Sequence, residues 1–353
     1  MARLLRLGSR LSLTGAGIAL AVLGAEALTR LAAPQPPSWL AVYEHHDQLP
    51  YALQPDLSYR VETGETRWTI VTDGHGRRVD PTASADAERP KWLVAGDSFA
   101  FGHGCEAADG LVTRLAVEAG ADAINLAVPG YGPEQFAASL AAHIDLEPVD
   151  AVVVVPFLGN DFHDLTWNKE VPITDGLLNA RRNLKSSLCR TSHLYRLASQ
   201  TLHRFGIGGG GPNRALERDL IEPQRFEALL APARDKWHSA FRSIRRLCAE
   251  RQLPLVVLLL PNRAATEPDR TGQGLPPTPV DVDLARKTAK AWLADSGIRA
   301  LDATETLRAL DGPLYFDFDG HYRPSVNRAL ARAMAPSLVN ELETARAAIA
   351  SSH

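Results

Sequence analysis

Ser98, His321 and the acidic residues beside that histidine are of the types that could together do nucleophilic chemistry. Ser98 closes the run Trp92-Leu93-Val94-Ala95-Gly96-Asp97-Ser98, which is apolar until it stops abruptly in Gly-Asp-Ser, and a turn with Gly102 and Gly104 follows. A buried strand that delivers a serine to the C-terminal edge of a sheet puts a hydroxyl where a nucleophile works. Gly96 permits a tight turn, and backbone N–H groups after the strand can receive a negative charge. By itself Gly-Asp-Ser fits equally an ordinary strand-to-helix turn in which Asp97 or Ser98 is the cap. His321 stands in Tyr315-Phe316-Asp317-Phe318-Asp319-Gly320-His321, ahead of a helix expected from Ser325 to about Ala348. There it could take the serine proton while a carboxylate orients and stabilises the imidazolium. The chain has other histidines, among them His75, His103, His143, His163 and His238, and a single histidine more often does no chemistry.

Two further turns carry possible hydrogen-bond donors. The run Ala123–Val128 ends in Pro129-Gly130-Tyr131-Gly132-Pro133. Gly130 lacks a side chain, so its N–H can approach a substrate closely. The same residues also read as a plain strand-turn-helix junction with Pro133 in the first helical turn. Residues Ala151–Leu158 are nearly all apolar, as in a parallel strand covered on both faces, and end in Gly159-Asn160-Asp161. A neutral asparagine on a rigid support can aim its N–H at an oxyanion. An Asx-turn or a helix cap would use the same residue without chemistry.

In chain order, Gly-Asp-Ser, Pro-Gly-Tyr-Gly, Gly-Asn-Asp and Asp-Gly-His each follow or border an apolar segment. This four-block order resembles the SGNH hydrolase superfamily, also called the GDSL esterases, over roughly Lys91 to Leu338 with an insertion in the middle. The resemblance implies an α/β fold, flavodoxin-like, with three α/β/α layers on a parallel sheet. It implies Ser98 as nucleophile and His321 as general base. The oxyanion hole it implies comprises the backbone N–H groups of Ser98 and Gly130 and the side chain of Asn160. The acid of the family stands three residues before the histidine, where this chain has Phe318. Asp319, two before, and Asp317, four before, are the alternatives. Asp319 is favoured because Asp-Gly-His resembles how a membrane-anchored branch of the family writes this block. Such relatives also carry a prelude that Pro55-Asp56 and Thr72, Asp73, Gly76 and Arg77 resemble, expected to pack a short sheet beside the core without chemistry of its own. The pattern is not the Gly-x-Ser-x-Gly elbow of α/β-hydrolases, whose glycines flank the serine on both sides.

The elements that must position these residues alternate strand and helix, the pattern of a parallel sheet covered on both faces. Strands are expected near Trp92–Ala95, Ala123–Ala127, Val149–Pro156, Leu255–Leu260 and Ile298–Leu301. Helices are expected near Asp109–Glu118, Pro133–Ile144, Pro223–Arg251, Val282–Ser296 and Ser325–Ala348. A small β segment is expected around Arg67–Gly76, where Thr and Val alternate before a turn. Between Phe162 and Glu222 lies a polar insertion with helical patches such as Leu194–Phe205 and a glycine linker at Gly208–Gly211. Placed right after Asn160, it could overhang the site as a lid, or run as a solvated excursion. The Pro- and Gly-rich loop Gly272–Pro279 could form another part of the rim.

The net charge of −3 comes with no basic stripe, which argues against nucleic acid as a partner. No phosphate-binding loop, zinc-ligand spacing or dinucleotide fingerprint is present, so neither a metal nor an organic cofactor is expected. At the N-terminus, Arg3, Arg6 and Arg10 precede Leu11–Ala25, apolar apart from small polar residues; Glu26 and Arg30 interrupt a weaker continuation to Ala33. Basic residues ahead of an apolar run stay in the cytoplasm. Residues 1–33 therefore read as an uncleaved signal anchor, a single pass through the cytoplasmic (inner) membrane with the rest of the chain outside, in the periplasm of a Gram-negative cell. Ala25-Glu26-Ala27 resembles a signal-peptidase site, so secretion after cleavage is the alternative, and a buried N-terminal helix the third reading. Pro34-Gln35-Pro36-Pro37 is expected to be a stiff spacer. Residues 34–90 then form linker and β prelude, and 91–353 the catalytic domain with its insertion at about 162–222. An exported protein can pair cysteines, and of Cys105, Cys189 and Cys248 the last two are the expected pair, since both lie in segments added around the core.

These expectations amount to an extracytoplasmic serine esterase that cleaves an acyl ester on a carbohydrate or lipid through an acyl-enzyme. An O-acyltransferase with the same triad, in which a sugar hydroxyl replaces water, is the alternative. A non-catalytic envelope-binding or assembly protein that keeps the fold is the second.

Overall fold

In the computed structural model, residues 2–35, 40–63, 65–83, 88–166, 171–178, 184–205, 214–268, 279–317 and 319–351 are described. The chain opens with helix α1 (Ala2–Ala32). Two antiparallel ribbons follow, β1 (Tyr43–Glu44) with β2 (Ala52–Leu53), and β3 (Ser58–Glu62) with β4 (Arg67–Val71). The alternation in β4 sends Trp68 and Ile70 into the core, as its sequence pattern requires.

The repeating unit begins at β5 (Lys91–Gly96), followed by α2 (Ser98–Phe101), α3 (Leu111–Ala119), β6 (Asp122–Asn125), α4 (Pro133–His143) and β7 (Ala151–Val155). The insertion contains α5 (Asp161–Asp164), a ribbon of β8 (Ile173–Thr174) and β9 (Leu177–Leu178), and helices α6 (Leu184–Thr191), α7 (His193–Arg204) and α8 (Arg214–Ile221). The fold is completed by α9 (Pro223–Glu250), β10 (Leu255–Leu259), α10 (Arg263–Thr266), α11 (Leu284–Asp295), β11 (Arg299–Asp302), α12 (Thr304–Arg308) and α13 (Pro324–Ala350).

Five strands form one parallel sheet in the order β11-β10-β7-β5-β6. This is the flavodoxin-like order, and its reversal lies between β5 and β7, where ligands of such sheets bind. All five residues of β7 are buried, which is why that strand reads as an unbroken apolar run. Helix α13 packs on α3, and α4 packs on α9, giving the two outer layers. Each expected strand and helix of the core is present, with ends displaced by a few residues. Gly110 accounts for one displacement: a short 3-10 turn, Ala107–Asp109, ends there and α3 starts one residue later.

Two expectations need correction. No disulfide joins Cys189 and Cys248; all three cysteines are buried thiols that pack as small apolar residues. Gln35 is not part of a free spacer. Its N–H donates to His193 Nδ1 at 2.8 Å, and its carbonyl accepts from Arg196 at 2.8 Å. Of the two arginines that end the prelude, Arg77 pairs with Asp73 and Glu147, whereas the neighbouring Arg78 is the buried one. The Arg78 backbone bridges Thr72 to Asn125, which joins the prelude to the edge of the main sheet. Pro36, Pro37, the Gly208–Gly211 linker, Phe318 and all of Gly272–Pro279 but Pro279 lie outside the described residues. Within α1, Leu13–Ala32 is long and apolar enough to cross a membrane, and only 6% of it is buried, so it is no core helix.

Candidate active site

Ser98 is the first residue of α2, immediately past the C-terminal end of β5. The turn requires glycine at position 96, because a Cβ there would meet Ala100 Cβ at 2.5 Å and the Val155 carbonyl oxygen at 2.8 Å. Asp97 caps α2, its carboxylate accepting the Phe99 N–H at 2.9 Å. Gly102, with φ of 83°, ends the helix in the left-handed conformation.

His321 lies 223 residues further on, yet its Nε2 is 2.8 Å from Ser98 Oγ. Its Nδ1 is hydrogen-bonded to Asp319 Oδ1. A narrow hairpin makes this possible. Tyr315 and Tyr322 bridge antiparallel, Phe316 N–H donates to the His321 carbonyl, and Gly320 adopts φ of 84° between acid and histidine. Asp317 points elsewhere: it pairs with Arg323 at 3.3 Å and its side chain is 55% exposed.

Asp319 has a second histidine that the sequence did not single out. His103 Nε2 is 3.3 Å from Asp319 Oδ2. Its ring stacks on His321 with centroids 4.4 Å apart and tilts against Trp68 at 5.1 Å. Burial opposes the charge on Asp319, but His321 and His103 outweigh it and hold the carboxyl far below its ordinary range. Burial, followed by the neighbouring His321, pushes His103 down, so at neutral pH it is an uncharged ring. With no partner on Nδ1, the hydrogen-bond network assigns the His103 proton to Nε2, facing Asp319. The available hint was local: His103 sits between Gly102 and Gly104, both at positive φ, five residues after the serine.

The turn that carries His103 is held from below by Arg78. Its guanidinium donates to the carbonyls of Phe101 (2.5 Å), Gly102 (2.7 Å) and Cys105 (2.5 Å), and lies 4.4 Å above the Phe101 ring. The prelude also reaches the acid loop, since the Glu65 carboxylate accepts the backbone N–H groups of Asp317 and Asp319. The prelude thus braces the backbone of the site and brings no reacting group to it.

Ser98, Gly130 and Asn160 follow the C-terminal ends of β5, β6 and β7, three adjacent strands. Gly130 has φ of 84°, and a Cβ there would meet Tyr51 Oη at 2.6 Å. Tyr51 donates to the Pro129 carbonyl at 3.1 Å, and Tyr131 donates to the Tyr51 carbonyl, so the prelude clamps this turn. Asn160 precedes α5 without capping it. It faces Asp97 instead. Burial raises the Asp97 carboxyl to about 7 against the pull of the Phe99 N–H, His321 and the Asn160 amide.

The remaining candidates fall away from this centre. His163 faces Asp219, His143 the Ser139 carbonyl and His238 the Ser296 hydroxyl. Cys105 is close in sequence, but burial pushes its thiol up to about 12, and a thiol that stays protonated is a poor nucleophile. Among the described residues, the side chains with converging metal-ligand atoms are His103, Asp319 and His321, all within 4.8 Å of one another. Those atoms are engaged with each other and with Ser98.

No family model matches the chain, and no curated relative does. Among solved structures it is similar to TesA, at 14% identity over 71% of this chain and 99% of that one, TM-score 0.40. It is similar to the acetylxylan esterase Axe2 from Geobacillus stearothermophilus, at 12% identity over 72% and 94%, TM-score 0.39. A carbohydrate acetylesterase from Sinorhizobium meliloti matches at 14% identity over 71% and 99%, TM-score 0.34.

Proposed function

We propose that this chain is a serine ester hydrolase of the SGNH type, anchored by α1 in the cytoplasmic membrane with its catalytic domain outside. The observation that carries the reading is the continuous hydrogen-bonded series from Ser98 Oγ through His321 to Asp319 at the switch point of a parallel sheet. The anchor reading is supported by the length, apolar character and exposure of Leu13–Ala32.

In this reading Ser98 Oγ attacks the carbonyl carbon of an acyl ester and His321 Nε2 takes its proton. Asp319 accepts the Nδ1–H, which fixes the tautomer and stabilises the imidazolium. The oxyanion is received by the Ser98 N–H, the Gly130 N–H and the Asn160 amide, donors on three rigid strand ends. As the tetrahedral adduct collapses, His321 returns the proton to the leaving alkoxide and the acyl group stays on Ser98. Water, activated by His321, then attacks the acyl-enzyme, and the acid and free serine are regenerated. The ester is one carried by a carbohydrate or a lipid.

The test is turnover of an activated acetyl ester by the full-length protein in detergent, together with labelling by a fluorophosphonate. Both are expected, and both should vanish in Ser98→Ala, with turnover falling at least ~10³-fold. A folded protein that neither turns over nor labels would be a binding protein on this fold. Acetyl transfer to an added oligosaccharide, faster than hydrolysis, would make it an acyltransferase.

A further inference from the structure

We propose that helix α7 lies on the surface of the bilayer that α1 enters, and that lipid covers its outward face. The proposal rests on the reading of α1 as a membrane anchor.

Helix α7 is built inside out for a helix in water. Among its described side chains the buried ones are polar: Arg196, which donates to the Cys189 and Gln35 carbonyls, and Gln200, which donates to the Glu62 carbonyl. Its outward stripe is Leu197, Ala198, Thr201, Leu202 and, just past its end, Phe205. That spacing keeps five residues on one helical face. Leu202 is 47% exposed and Phe205 77% exposed. An ordinary surface helix places the apolar side inward and the polar side toward solvent. The reversal here suits an apolar medium outside.

The occupant is identified by what α7 is attached to. Glu26, the acidic residue inside the apolar stretch of α1, caps the N-terminus of α7. Its carboxylate accepts the Ser192 hydroxyl (2.7 Å) and the N–H groups of His193 (2.9 Å) and Leu194 (2.9 Å). Arg30 pairs with Glu26 at 2.6 Å and also donates to the Thr191 carbonyl. The two charges that interrupt the apolar stretch thus compensate each other and the end of α7, which lowers their cost in lipid. Leu13–Ala32 comprises 20 residues, about the thickness of a hydrocarbon core. The hydrogen bonds to α7 and the turn before it come from residues 26–35, the last two turns of that span and the three residues after it, so α7 starts at the edge of the bilayer. Leu28 (67% exposed) and Leu31 (86% exposed), on the last turns of α1, are likewise apolar and uncovered. A soluble partner or a second copy would have to cover α7 and leave the adjoining turns of α1 to lipid; the bilayer covers both.

The experiment uses the full chain in nanodiscs of phosphatidylethanolamine and phosphatidylglycerol, with single spin labels at Leu202→Cys, Leu20→Cys and Val117→Cys. The native cysteines are buried. Accessibility is read with oxygen, which partitions into lipid, and with a nickel chelate, which stays in water. The expected result is a several-fold higher oxygen-to-nickel ratio at positions 202 and 20 than at 117. A lipid-exposed label at 20 with a water-exposed label at 202 overturns the proposal and leaves the anchor standing. A label at 202 shielded from both reagents overturns it in favour of a protein partner or a second copy. A water-exposed label at 20 overturns the anchor reading, and this proposal with it.

Discussion

The Glu65 carboxylate accepts the backbone N–H of Asp319, across 254 residues of chain. The bond ties the turn of the β3–β4 ribbon to the loop that carries acid and histidine. Thr66, next to Glu65, donates to the Gly104 carbonyl at 2.6 Å, and so holds the turn that carries His103. One short ribbon therefore braces both histidines against Asp319.

Asp319→Asn is expected to lower turnover by up to ~10⁴-fold, and Asp317→Asn at least tenfold less. Asp319 touches His321, while Asp317 is turned toward Arg323 and solvent. Steady-state rates of both variants decide it; a dominant loss at Asp317 would move the acid there.

His103→Phe keeps a ring against His321 but removes the donor to Asp319. A lost hydrogen bond to a charged group predicts a fall in kcat of about tenfold to a hundredfold with KM nearly unchanged. His103→Gln, which restores a donor, should recover part of the rate. Equal rates in the two variants would assign His103 to packing alone.

Asn160→Ala should lower kcat by about 10²–10³-fold with little change in KM, since an oxyanion donor acts in the transition state. A change confined to KM would make Asn160 a substrate-binding residue.

Gly130→Ala meets two obstacles. Positive φ costs about 1–2 kcal/mol for an L side chain, and the new methyl would press on Tyr51 Oη at 2.6 Å. Tyr51→Phe removes the hydroxyl that the methyl would meet, together with its bond to the Pro129 carbonyl, so the double variant should lose less stability than the sum of the two single losses. Additive losses across the four-member cycle, measured by thermal unfolding, would contradict the contact.

Asp97 predicts a pH dependence of stability. Burial raises its carboxyl from an ordinary 3.8 to about 7. Between those values the folded chain keeps a proton that the unfolded chain has released, so this group's contribution to stability falls as pH rises through the window. Asp97→Asn keeps an oxygen to cap Phe99 and does not titrate. Its melting temperature should fall less than that of the wild type from about pH 4 to pH 7. Parallel curves would show that Asp97 carries no such load.

Much of the architecture was legible from local pattern. Parallel strands covered on both faces need continuous apolar residues, so β5, β7 and β10 announce themselves, and the glycines, Asn160 and Pro133 mark the turns at their ends. Ser98, Gly130, Asn160 and His321 could be named because each stands at the end or border of such a pattern. The rest depended on where distant segments meet. Asp317 and Asp319 both stand within four residues of His321, and the hairpin Tyr315–Tyr322 with its brace from Glu65 decides which carboxylate faces the imidazole. His103 resembles any loop histidine until the sheet carries it under the acid loop, 216 residues away by chain. Cys189 and Cys248 looked like partners because both lie outside the core pattern, yet the packing buries them as thiols. Glu26 read as a break in an apolar helix, and only the fold reveals that it caps α7. Hydrophobic periodicity and turn chemistry are short-range and can be read along the chain; side-chain partnership is set by the closing of the whole sheet and exists only once it has closed.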